Sequence, residues 1–191
     1  MTQFSLFGAA VAEPTLDDLD GVLLGGGHWA RTATGARLSV VVAQRWRADA
    51  LADAFAVRGV DGPDAVIDAE GGFASRTAFH AVLVNAAARW TRGANVAPPA
   101  GFVLSPGGLR LWAIAAGRPD EVGYLLGTAE PDDALHLAGG AQLSRLGLAA
   151  VSISGRGEPG WRVTSLKRIR RLVELLGEPP PGGTEAWPRA R

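Results

Sequence analysis

The sequence predicts an α+β fold made of two pseudosymmetric halves, each running α-β-β-α-β-β-α. Three observations carry that prediction. Hydrophobic residues make up 47% of the 191-residue chain, enough for one sizeable core or two smaller ones sharing an interface. Segments with helical spacing alternate with short β-branched segments that pair across glycine-bearing turns. The same order then recurs after a stretch rich in Pro and Gly, residues 95–107.

In the first half, 15–94, a leading helix spans 15–25: Thr15 stands at its N-cap, and Asp17 and Asp18 suit the positive end of its dipole. The run 36–43 (ARLSVVVA) reads as a strand paired with 28–32. A helix over 47–58 stops at Gly59. Residues 64–69 and 73–79 form a second hairpin across Gly71 and Gly72, and 81–92 is a closing helix. The second half, 108–178, repeats this with a helix over 108–116 and a strand over 122–128 whose partner is undefined. A helix over 132–146, a hairpin of 150–154 with 160–164, and a helix over 166–176 follow. Residues 179–191, rich in Pro and Gly, are expected to be a disordered tail with Trp187 exposed.

Composition excludes several chemistries. The chain has no Cys, so disulfides, thiolate metal sites and a Cys nucleophile are ruled out. His28, His80 and His136 are far apart with no His-x-x-x-His pair, and no Gly-x-Ser-x-Gly elbow or Ser-His-Asp arrangement stands out. Gly25-Gly26-Gly27 lacks a following Lys-Ser/Thr and does not follow a strand, so neither a P-loop nor a dinucleotide fingerprint is supported. No catalytic residue, metal or cofactor is expected. No stretch approaches the roughly 18 apolar residues of a membrane span, so the expected location is cytoplasmic, at the nucleoid. With 19 basic and 19 acidic side chains the net charge is zero, which weighs against a strong autonomous nucleic-acid binder.

Residues 3–7 read Gln3-Phe4-Ser5-Leu6-Phe7. This pentapeptide resembles the Gln-Leu-Ser/Asp-Leu-Phe peptide by which bacterial replication and repair proteins dock on the DNA sliding clamp, with Phe4 in place of the usual Leu. In such a peptide Leu6 and Phe7 would be anchors in a preformed pocket, Gln3 would fix register through its amide, and Phe4 would cover the rim. Burying each anchor is worth roughly 1.5–3 kcal/mol against an association cost of at least about 4, which gives about micromolar affinity. Residues 8–14 would then be a tether. The bland alternative is an arm in which Phe4, Leu6 and Phe7 pack on the body.

The two leading helices read Leu19-Asp20-Gly21-Val22-Leu23-Leu24-Gly25-Gly26-Gly27 and Leu109-Arg110-Leu111-Trp112-Ala113-Ile114-Ala115-Ala116-Gly117. With the element order, they resemble the LAGLIDADG homing endonucleases and their non-cutting relatives, notably the N-terminal domain of WhiA-type regulators. That resemblance implies two closely packed leading helices and two antiparallel sheets forming a saddle over DNA. It also implies a metal-binding acidic residue just before each motif's final Gly, where this chain has Gly26 and Ala116, so the site would be dead. Asp17, Asp18 and Asp20 lie nearby, where acids in a helix's first turn usually complement its dipole at the surface. Candidate DNA contacts are Arg31, Arg37, Arg45, Arg76, Arg156 and Arg162, with Ser39 and Thr164, and the cluster Lys167, Arg168, Arg170 and Arg171. On the last helix Leu166, Ile169, Leu172, Val173 and Leu176 form the apolar stripe, which puts these charges on exposed faces.

The expected function is a non-catalytic accessory or adaptor protein in DNA replication or repair. It would be recruited to the bacterial sliding clamp through residues 3–7, and its body, a monomer, would contact DNA or another replication or repair protein. The alternative is a WhiA-like DNA-binding regulator whose N-terminal arm is structural.

Overall fold

The computed structural model describes residues 13–92, 95–129, 134–154 and 159–190. The clamp-peptide residues Gln3, Phe4, Leu6 and Phe7, and Arg156, lie outside them. The element order of each half follows the periodicity of the sequence. The first half runs through α1 (Asp20–Leu24), β1 (His28–Arg31), β2 (Ala36–Val42), α2 (Arg45–Ala56), β3 (Val66–Ala69), β4 (Gly72–Arg76) and α3 (Val84–Arg89). Strands β5 (Thr91–Arg92) and β6 (Asn95–Val96) make a small ribbon. The second half is α4 (Pro106–Ala116), β7 (Gly117–Asp120), β8 (Gly123–Gly127), α5 (Ala134–Arg145), β9 (Val151–Ile153), β10 (Gly160–Val163) and α6 (Leu166–Leu176).

Two four-stranded antiparallel sheets carry the pseudosymmetry, with spatial orders β1-β2-β4-β3 and β7-β8-β10-β9. One face of each sheet is apolar and packs under the helices: Leu38, Val40 and Val42 in the first half, Tyr124, Leu126 and Val163 in the second. These join a single hydrophobic core running through both halves. The other face of each sheet is the more open one and carries the exposed Val41, Ile67 and Val151, with Leu125 buried between Arg118 and Arg162.

The leading helices α1 and α4 meet between the halves, and glycine sets how close they come. A Cβ on Gly21 would lie 1.8 Å from the Gly108 carbonyl oxygen. A Cβ on Gly25 would lie 2.8 Å from that of Ala115. Ser105 starts α4 by accepting the Gly108 N–H at 2.9 Å, with Pro106 at the first helical position, where its missing N–H costs nothing.

Four expectations shift. The leading segment begins as a 3-10 turn, Leu16–Leu19, before α1, and Asp18 is buried rather than on the surface. The Asp18 carboxylate takes the Thr15 N–H at 2.9 Å, the Arg58 guanidinium at 2.6 Å and the Ser105 hydroxyl at 2.5 Å, which ties the first half to the start of α4. The unidentified partner of β8 is β7, an edge strand, where Pro119 lacks only a donor that the ladder does not need. The 95–107 stretch is not a bare linker: Phe102 and Leu104 are buried, and Phe102 sits edge-on to Trp90. The tail expected to be disordered packs instead. Trp187 is 3% exposed, donates to the Gly177 carbonyl at 2.8 Å and lies against the Arg110 guanidinium.

Candidate nucleic-acid interface

Strand register decides which side chains share the open sheet faces, because a one-residue change moves a side chain to the opposite face. In the first half the pairs Ala30↔Arg37, His28↔Ser39, Ser39↔Arg76 and Ile67↔Ala74 lie on the open face, as does Val41 opposite Ala74. In the second half Arg118↔Leu125, Asp120↔Gly123, Arg162↔Leu125 and Arg162↔Val151 do the same. Arg37, Ser39, Arg76 and Arg162 are therefore brought to the saddle face as expected. Arg31 is not: it pairs with Ala36, whose side chain is buried in the core, so it lies on the helix side of β1 at the strand end. Arg118 also lies on this face, on β7, a strand that Pro119 hides from a sequence reading. Its alternation with Pro119 is the only sequence signal that could have found it.

Two of the arginines on this face have carboxylate partners and a third is held against an aromatic ring. Arg76 donates to the Asp64 carbonyl at 2.8 Å and lies 3.5 Å from its carboxylate. Arg162 is bonded to Asp120, and Arg37 sits over the Phe79 ring at 4.3 Å. Between them the face is apolar: Val41 is 48% exposed, Ile67 36% and Val151 57%. Arg45 stands at the start of α2 rather than on a strand and pairs with Asp49 at 2.8 Å. Thr164 is exposed just after β10. Lys167, Arg168, Arg170 and Arg171 are elsewhere, in the helical layer on α6, whose Ile169, Leu172 and Leu176 are buried in the shared core.

At the C-terminal ends of α1 and α4 the two halves enclose a groove of about 650 Å³, lined by Gly25, Gln44, Trp46, Arg47, Arg118 and Glu185 among others. Here the resemblance would place a metal-binding acid on each motif. Gly26 and Ala116 offer no side-chain donor. Arg47 instead binds the α4 terminus, with its guanidinium 2.6 Å from the Ile114 carbonyl oxygen and 2.7 Å from that of Gly117. Burial pulls the Arg47 pKa down from its ordinary value, yet a guanidinium stays charged in any accessible range. A fixed cation at the helix ends, with Glu185 the one carboxylate among the described residues lining the groove, does not fit a divalent metal. The aspartates near the other end of α1 are engaged: Asp20 accepts the Trp90 indole N–H at 2.6 Å, and Asp17 pairs with Arg89 at 2.9 Å. Among the described residues, no group of three or more His, Asp or Glu side chains could hold a metal ion.

His80 caps the 3-10 turn Ala81–Leu83, its ring nitrogen accepting the Val82 N–H. His136 is buried between the Thr128 and Ser152 hydroxyls at 3.0 and 2.8 Å, and stacked on Trp161. Neither faces the groove. Among the described residues no helix is long and apolar enough to cross a membrane.

No protein-family model matches the chain, and no curated protein matches it. Solved structures do. The homing endonuclease I-WcaI bound to its DNA recognition sequence superimposes with a TM-score of 0.63 at 11% identity, covering 84% of this chain and 79% of that one. The fold is LAGLIDADG-like. At that identity the likeness is one of architecture: a LAGLIDADG-like body with two pseudosymmetric halves, whose residues at the helix ends are its own.

Proposed function

We propose that this chain is a non-catalytic accessory protein of DNA replication or repair, recruited to the bacterial DNA sliding clamp through Gln3, Phe4, Leu6 and Phe7, with a LAGLIDADG-like body that contacts DNA or a second protein at the nucleoid. The observation that carries the reading is the pentapeptide itself, placed by sequence ahead of a folded body. Two features of the body support it. Its architecture is one that a DNA-bound homing endonuclease also uses. The ends of its leading helices carry Gly26, Ala116 and the bonded Arg47 rather than carboxylates, which favours a binding role over hydrolysis.

Recruitment by a short peptide suits such a body. A micromolar peptide joined to a weak DNA contact gains avidity when both engage one site, so zero net charge is no obstacle. The test is binding of the full chain to the sliding clamp of the same organism by calorimetry, beside the double variant Leu6→Ala/Phe7→Ala. Micromolar binding lost in the variant supports the reading. An intact chain that does not bind overturns it and favours a WhiA-like regulator with a structural arm. Incubation with supercoiled plasmid and Mg²⁺ is expected to leave the plasmid uncut.

A further inference from the structure

The positive charge of the body is not where its architecture would suggest. On the sheet faces Arg76 and Arg162 have carboxylate partners and Arg37 lies on Phe79. On α6, Lys167, Arg168, Arg170 and Arg171 follow one another within the first two turns, and no acidic residue stands in the first turn. Of these four, only Arg171 has an acidic partner among the described residues, the exposed Glu174 at 3.4 Å. The same side chains, with Ser165, Leu166 and Glu174, line an open depression of about 930 Å³ beside Gly147.

Local stability does not explain these cations. Positive side chains near a helix N-terminus oppose the macrodipole, and like charges at i and i+4, as at Lys167 and Arg171, repel each other. Packing does not require them either, since Ile169, Leu172 and Leu176 form the buried stripe and Lys167, Arg170 and Arg171 are exposed. A sequence that breaks a local rule without a structural gain marks a functional surface.

We propose that the α6 cationic stripe, and not the saddle face, is the surface through which this body holds the phosphate backbone of duplex DNA. The inference rests on the reading that the protein works at DNA, and it changes how the body docks there. Three arginines within four positions supply planar guanidinium forks suited to bidentate contact with successive phosphates, and Lys167 adds a point charge. Leu166 is the one large apolar side chain exposed on α6, at 47%. A protein partner would need more anchors than that, whereas a phosphate backbone needs none. Contact of this kind is strongly salt-dependent and indifferent to base sequence. With the stripe on DNA, the apolar saddle stays uncovered.

The experiment is fluorescence anisotropy of the full chain with a short labelled duplex at about 50–200 mM KCl. It compares the wild type with the triples Lys167→Gln/Arg170→Gln/Arg171→Gln and Arg37→Gln/Arg76→Gln/Arg162→Gln, each checked for folding by circular dichroism. The α6 triple is expected to weaken binding at least about tenfold and to lower the slope of log K against log [KCl] by about 2–3. The sheet triple should stay within about threefold of wild type. The single Arg170→Glu, at an exposed position, gives a second readout if the triple misfolds, and should also weaken binding about tenfold. A larger loss in the sheet triple, wild-type binding by the α6 variants, or no DNA binding by the intact chain would each overturn the proposal. Clamp binding of the α6 triple, measured in parallel, stays at the wild-type level, so failure of the DNA surface and failure of clamp recruitment are told apart.

Discussion

Arg47, at the start of α2 in the first half, closes the end of the second half's leading helix, its Nη2 lying 2.7 Å from the Gly117 carbonyl oxygen. A helix leaves its last carbonyls without intrahelical partners and its C-terminus partly negative. A buried guanidinium answers both needs. It reaches Ile114 as well, and its guanidinium lies over the Trp46 ring at 4.6 Å. One side chain therefore fixes how the two halves sit at the floor of the groove.

Replacing Arg47 with Met keeps much of the volume and removes the donors, leaving carbonyls buried and unpaired. The expected loss is about 2–4 kcal/mol, since hydrogen bonds to a charged group are worth roughly 1.5–3 each and some backbone relaxation is available. Arg47→Lys should recover less than half, because an ammonium cannot span carbonyls on both sides as a guanidinium fork does. Urea unfolding measures it, and a loss below about 1 kcal/mol in Arg47→Met would show that the cap is incidental.

The Gly21 to Gly108 approach gives a second prediction. A methyl group at 21 would lie 1.8 Å from a backbone oxygen, and backbone cannot swing aside as a flexible side chain can. Gly21→Ala is expected to cost more than the roughly 1–3 kcal/mol of ordinary overpacking, despite the better helix propensity of Ala. Gly59→Asn, at a site with φ of 68° that Asn tolerates better than other side chains and with open space around the added Cβ, should cost no more than about 1 kcal/mol. Equal losses from the two would mean that α1 and α4 do not meet as closely as described.

These two sites show what could be read from sequence. The small residues of the leading helices and the alternation of helical and β-branched segments are local signals, and they fixed the element order. The face of a strand side chain is not local. Arg31 reads as a saddle residue from sequence, whereas its face is set by pairing with Ala36 across the four residues of the 32–35 turn. Pro119 disguised β7, and with it Arg118. Arg47 reads as one more polar residue on a helix, since nothing in its neighbourhood in sequence announces the carbonyls of residues 114 and 117. The tail failed for a similar reason: Pro and Gly content suggests disorder, whereas the partners of Trp187 are Arg110, in another helix, and Gly177.

Asp20 yields a pH prediction. Burial pushes its carboxyl up from 3.8 to about 6, against the pull of Arg89 and the Trp90 N–H. A raised folded-state pKa means that the native state keeps a proton that the unfolded chain has released. Its contribution to stability is present below about pH 3.8 and is lost as pH rises through about 6. The difference corresponds to about 3 kcal/mol as an upper bound. Asp20→Asn retains an acceptor for Trp90 and has no charge to bury, so it should match wild type near pH 4 and exceed it by about 1–3 kcal/mol at pH 7. Urea titrations at the two values decide it. Asp18 acts in the opposite sense: although its burial raises its pKa, the bonds from Ser105, Thr15 and Arg58 hold it below its ordinary value. Its stabilising contribution therefore exists above pH 3.8 and is lost as pH falls through its lowered value, and the Asp20 effect must be read from the variant and not from the wild-type profile alone.

Trp187 tests whether the tail belongs to the folded body. Its indole is 3% exposed, bonded to Gly177 and set against Arg110, while Arg110 itself donates to the Glu178 carbonyl at 2.6 Å. Upstream, a Cβ on Gly183 would lie 2.8 Å from the Trp46 ring, so the chain passes closely over the first half before Trp187 inserts into the second. A buried Trp truncated to Ala typically costs about 3–5 kcal/mol, and the peripheral setting of this one argues for the lower end, about 3. Trp187→Phe keeps most of the buried area and loses one hydrogen bond, for about 1 kcal/mol. Deleting residues 179–191 removes the same contacts and should match Trp187→Ala within about 1 kcal/mol. If the deletion leaves the urea midpoint unchanged, the tail contributes nothing to the fold. If the deletion is mild but Trp187→Ala is severe, the cost comes from disturbing Arg110 in α4, not from the loss of a strap across the two halves.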